Sequence, residues 1–177
     1  MQFTNRSNRI LQPAKPWFVY LSLFAALMLN YINNISFTHL SAALPDWVAL
    51  VLVFWCIREP LHIGMGVGFV LGVLVDIGST GAMGQHALAY VILAYLANSL
   101  ARRVMWFPAL LQALHVLPLL LVAQAVMLGV QMFNGDRITE WAYFLPSAVG
   151  AVLWLPLTYL LLMPQFQPLD RDDNRPI

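Results

Sequence analysis

The chain has 177 residues, 60% of them hydrophobic and only 10% charged, with a mean hydropathy of +0.73. Soluble domains carry roughly 25% charged residues, so a water-exposed globule is excluded and the chain reads as an integral membrane protein. The net charge of +1 says little, because in membranes the placement of charges matters more than their sum, and the single cysteine, Cys56, excludes an internal disulfide or a multi-cysteine metal site.

Residues 1–16 carry Arg6, Arg9 and Lys15 and precede an apolar run at 17–36. That run is longer than the 7–15 residues usual in a cleaved leader, so a retained helix is expected. Further apolar runs lie at 42–57, 61–77, 83–101, 106–133 and 141–163, followed by a polar tail at 164–177. A helix rises ~1.5 Å per residue, and a ~30 Å hydrocarbon core takes about 20 residues. The second and third runs are short and separated by Arg58-Glu59-Pro60. Joined as a re-entrant hairpin, they would put both charges near the membrane centre, at ~2.5–3.5 kcal/mol each. Two spans with the charges in water cost less.

The expected fold is therefore all-α: a polytopic domain of six transmembrane helices over 17–163. With the N-terminus inside, Arg6, Arg9, Lys15, Arg58, Arg102, Arg103, Arg171 and Arg175 face the cytoplasm and only Arg137 faces out. That positive-inside bias places segment 1–16 and tail 164–177 in the cytoplasm. Trp17, Trp47, Trp106 and Trp141 open spans at headgroup level, while Trp154 lies within one and needs packing or lipid contact.

The third run holds a stripe. Gly64, Gly68, Gly72 and Asp76 are spaced by four, so on a helix they advance only ~40° per step. Glycines at this spacing let a second backbone approach closely, and in lipid such packing replaces the missing hydrophobic drive. The second backbone can belong to this chain or to a partner protein. On the partner reading, Leu at Gly68 or Gly72 leaves insertion intact and weakens partner binding, with Leu at Gly66, off the stripe, as the mild control.

Asp76 closes that stripe. An acid in a span faces protein or a water-filled cavity and marks a functional or structural site. It can accept from Ser79, from Thr80 or from free N–H groups of the Gly78–Gly84 turn. His86 opens the fourth run ten residues on, within reach of a carboxylate–imidazole bond across Gly84. Asn30, Asn33, Gln112, His115, Gln124 and Gln131 are expected to bond between helices.

Catalysis is not expected. The sequence has no G-x-S-x-G, no second deep acid to pair with Asp76, and no zinc-binding spacing among His39, His62, His86 and His115. A phosphate-cradling G-x-x-x-x-G-K is absent too, and no cofactor, metal or nucleic-acid partner is expected.

From Pro45 to Leu96 the chain resembles the rod shape-determining MreD family. The resemblance rests on Pro45-Asp46-Trp47 opening a helix that reaches Phe54-Trp55, then on Gly68-Phe69 and Gly72 before Asp76. Gly84, His86-Ala87-Leu88 and Ala94-Tyr95-Leu96 complete it. It implies a multi-pass component of the bacterial inner membrane in the cell-elongation machinery. The implied partner is MreC, a single-span protein with a periplasmic domain. MreB filaments and the glycosyltransferase–transpeptidase pair that builds lateral peptidoglycan are linked less directly, and membrane lipids surround the whole. The resemblance also implies a fold similar to the six-helix substrate-binding subunits of energy-coupling-factor vitamin transporters. The resulting expectation is a non-catalytic scaffold. A small-molecule-binding transporter subunit is the alternative, and a proton-coupled transporter, with one candidate acid, comes third.

Overall fold

Pro45-Asp46 decides where the second helix begins. Asp46 has extended backbone angles, and its side chain accepts from Ala49 N at 3.1 Å, the bond that satisfies an orphan donor of a first helical turn. In the computed structural model, which describes residues 15–35, 44–79, 82–135 and 141–165, helix α2 therefore runs Trp47–Arg58 and stops ahead of Pro60. The other helices are α1 (Pro16–Ile35), α3 (Met65–Gly78), α4 (Gln85–Val104), α5 (Ala109–Phe133) and α6 (Leu145–Leu162). Short 3-10 turns flank α6 at Trp141–Phe144 and Met163–Gln165. No strand occurs among the described residues, and the all-α expectation of six helices holds.

Segments Pro16–Asn34, Ala109–Phe133 and Leu145–Gln165 are long and apolar enough to cross a membrane. Helices α2 and α3 are shorter, at 12 and 14 residues, or ~18 and ~21 Å. Both begin several residues after the apolar runs that announced them, because Asp46 and the Glu59–Gly64 turn take up the difference. Residues 1–14 and 166–177 lie outside the described residues, as do Arg6, Arg9, His39, Arg137, Arg171 and Arg175.

Helix α2 is apolar all round, and a helix of that kind must be wrapped. Ten consecutive residues, Val48–Ile57, are buried. Helices α1, α4, α5 and α6 all touch it, whereas α3 packs on α4 and, at one end, on α1. Aromatic rings fill the core at the far end of α2. Phe18 meets Trp55 edge-on at 6.2 Å, Phe54 meets Trp55 at 5.0 Å, and Phe54 meets Trp154 at 6.0 Å. Trp154 is thus a packing residue, 1% exposed, while Trp17 and Trp106 are largely exposed. Trp55 Nε1 donates to Ser22 Oγ at 2.8 Å, tying α1 to α2. Cys56 is buried.

Candidate functional site

Three of the four buried polar side chains among the described residues, Asp76, Gln85 and Ser147, lie at one end of the bundle, where α1 and α3 finish and α2 and α4 begin. Asp76, in the last turn of α3, is 4% exposed and aims its carboxylate at the start of α4. The entry into α4 after the six residues that follow α3 depends on Gly84, whose φ of +91° lies in the left-handed region that favours glycine. With the chain so turned, Gly84 N and Ala87 N donate to Asp76 Oδ2 at 3.0 and 3.1 Å. His86 N donates to Oδ1 at 3.1 Å, and His86 Nδ1 lies 2.8 Å from the same oxygen. The carboxylate thus caps α4 from a neighbouring helix, where its charge also suits the positive end of the helix dipole.

This bonding decides what Asp76 can do. An ionised carboxylate offers about four acceptor sites, and all are taken. Ser79 Oγ donates to the backbone oxygen of Asp76, not to the carboxylate, and Thr80 lies outside the described residues. All four bonds are made within the chain, so the carboxylate fastens the end of α3 to the start of α4.

A second acid, Asp46, received no role from the sequence. Besides capping α2, its Oδ1 accepts from Asn30 Nδ2 at 2.9 Å and its Oδ2 from the Tyr90 hydroxyl at 2.6 Å. Asn30 Oδ1 accepts in turn from Trp47 N at 3.1 Å. Tyr90 stands one helical turn after His86, and the two rings are 5.9 Å apart. The first two turns of α4 therefore grip both acids, and through them α1, α2 and α3. The signal for Asp46 was an N-cap residue before an apolar run; its distant partners gave none.

The glycine stripe faces α4. A Cβ on Gly72 would lie 2.3 Å from Ala87 Cα, and one on Gly68 would lie 2.8 Å from Tyr90 O. Both glycines are buried, so at these two positions α4 occupies the space that a partner would need. Gly64 is less tight, at 3.4 Å from Asn98 Nδ2, and Gly66 faces open space. The first effect of Leu at Gly68 or Gly72 therefore falls on α3–α4 packing. Gly78 makes a similar approach to α1, where a Cβ would strike the Tyr31 ring. Tyr31 and Asn34 donate to the carbonyls of Leu74 and Gly78.

The other polar residues divide. Gln124 Nε2 donates to Tyr143 O at 3.1 Å, its Oε1 accepts from Ser147, and Gln131 donates to Gln85 at 3.0 Å, all between elements. Gln112 and His115 instead bond locally, to Phe107 O and Leu111 O. The interhelical expectation fails for these two because they lie in the first turns of α5, where local carbonyls are in reach. His62 pairs with Glu59 at 3.4 Å on the surface. Among the described residues, no three His, Cys, Asp or Glu side chains come together as a metal site would require.

A cavity of about 20 Å³ lies beside Asp46, bounded by Leu50, Leu120, Gln124 and Ser147. A water needs ~10–15 Å³ on this measure, so the space suits about one water and not a vitamin-sized ligand.

A family model described as rod shape-determining protein MreD matches residues 12–163. The rod shape-determining protein MreD of Haemophilus influenzae is 29% identical over 152 residues, covering 82% of this chain and 89% of that protein. No solved structure matches, so the expected likeness to vitamin-transporter subunits has no structural match behind it.

Proposed function

The chain belongs to the MreD family of rod shape-determining proteins, and on that premise we propose that it is a non-catalytic scaffold of the cell-elongation machinery. In this reading it crosses the bacterial inner membrane six times, with both termini in the cytoplasm, and holds MreC. Through MreC it helps set rod shape and lateral peptidoglycan synthesis, with MreB and the glycosyltransferase–transpeptidase pair engaged indirectly. The observation that carries the reading is the saturated carboxylate of Asp76. A transporter needs an acid with a free acceptor site or a cavity with converging polar groups. Here the acid is consumed in fastening one helix to the next. Gly64, Gly68, Gly72, Gly84 and His86 serve the same end, bringing α3 and α4 close and keeping them so.

A scaffold of this kind presents outer helix faces to its partners and keeps its inner contacts fixed. Depleting the protein should turn rods into spheres while peptidoglycan synthesis continues, read by microscopy and by incorporation of a labelled cell-wall precursor. Cells that stay rod-shaped, or that stop incorporating label before they round, would refute the scaffold role.

A further inference from the structure

Asp46 is bonded less completely than Asp76, and the difference lies beside a cavity. A carboxylate accepts about four hydrogen bonds. Oδ1 of Asp46 takes two, from Asn30 Nδ2 and Ala49 N, while Oδ2 takes one, from the Tyr90 hydroxyl. Among the described residues, one acceptor site on Oδ2 therefore remains. Asp46 also lines the cavity of about 20 Å³ where the start of α2 meets α5 and the start of α6.

Two more lining residues hold an unused hydrogen-bonding group. The Tyr143 carbonyl fixes how the Gln124 amide lies, because it accepts from Nε2 at 3.1 Å. Gln124 Oε1 then accepts from the hydroxyl of Ser147, a residue 3% exposed. The second N–H of Gln124 and the oxygen lone pairs of Ser147 have no partner among the described residues. The three residues thus offer one donor, Gln124 Nε2, and two acceptors, Asp46 Oδ2 and Ser147 Oγ.

That mixture selects the occupant. A hard cation takes oxygen acceptors alone and would meet the Gln124 N–H. An anion takes donors and would meet the Asp46 carboxylate. Water gives two protons and accepts others, and a buried water makes about three bonds in this way. We propose that one ordered water sits in this cavity, donating to Asp46 Oδ2 and Ser147 Oγ and accepting from Gln124 Nε2. Asp46 and Asp76 tie α1, α2, α3 and α4 to one another, and Gln124 ties α5 to Ser147 of α6. The water joins those two groups of helices, beside the direct bond of Gln131 to Gln85. This goes beyond the scaffold role and does not depend on it, because the site is read on purified protein.

The test is a structure of the full-length protein at a resolution that shows ordered water. One spherical peak is expected at about 2.7–3.2 Å from Asp46 Oδ2, Gln124 Nε2 and Ser147 Oγ. No peak there, in a map that shows other buried waters, would overturn the proposal. So would a peak ringed by oxygens alone at about 2.3–2.6 Å, which marks a cation. Thermal midpoints of two variants at Ala123, a residue of the cavity wall, read the same water independently. Serine and valine differ little in helix propensity. Ala123→Ser brings a hydroxyl that bonds to the water or replaces it, whereas Ala123→Val drives the water out and strands three polar groups. The valine variant should melt about 2–4 °C or more below the serine variant. A valine midpoint at or above that of serine would mark a dry apolar void and overturn the proposal.

Discussion

Replacing Gly72 with alanine is expected to remove most of the protein from the membrane fraction. The added Cβ would stand 2.3 Å from Ala87 Cα, 2.5 Å from Ala87 N and 2.7 Å from His86 C. All three are backbone atoms, so no side chain can swing aside, and α3 must part from α4. An overpacked core position usually costs ~1–3 kcal/mol because neighbours give a little. Here the cost should exceed that range, since the displaced backbone is the part of α4 that holds Asp76. Gly68→Ala should be milder, with its nearest contact at 2.8 Å from Tyr90 O. Gly66→Ala meets nothing within 4 Å and should be neutral or slightly stabilising, as alanine suits a helix better than glycine by ~1 kcal/mol. Immunoblots of membrane fractions with thermal midpoints of the purified variants would read the series. Equal abundance of the Gly72 and Gly66 variants would show that the helices do not approach as described.

Loss of the Asp76 carboxylate should have the next largest effect. Asp76→Ala strands the N–H groups of Gly84, His86 and Ala87 together with the His86 imidazole. The buried Ala87 N–H left unpaired costs ~1–3 kcal/mol, and the part-buried Gly84 and His86 donors, which water can reach, add less each. Asp76→Asn should fall between, because one oxygen still accepts while the new amide turns N–H toward N–H. His86→Ala removes one of the four bonds and should lower the thermal midpoint least. The order itself is the test. If His86→Ala were as damaging as Asp76→Ala, the imidazole and not the α4 backbone would be the anchor.

Long features of this chain were legible before the fold was seen, and paired ones much less so. Apolar runs located all six helices, because an unbroken apolar stretch marks a segment kept from water, even for α2 and α3, which are short. The bond between Asp76 and His86 could be foreseen because ten residues and a glycine-containing turn join them. The role of Asp46 could not, since Asn30 lies 16 residues before it and Tyr90 lies 44 after it. Each of those residues is ordinary in its own stretch. The stripe of Gly68 and Gly72 said that a backbone would come close, yet not whose. Composition cannot separate the two cases, because an internal helix and a partner helix ask for the same small residues. Gln112 and His115 misled for a related reason. A polar side chain in a span needs a bond, and nothing in its sequence position says whether a local carbonyl supplies it.

The central claim is that this chain is a saturated helix scaffold that holds a protein partner and no small ligand. Purification of the tagged protein from native membranes in mild detergent, with its stoichiometric companions identified by mass spectrometry, tests that claim most directly. MreC is the predicted companion, recovered in fixed ratio and absent from a mock purification of membranes that carry the untagged protein. A free monomer that carries a vitamin-like molecule in place of MreC would contradict it.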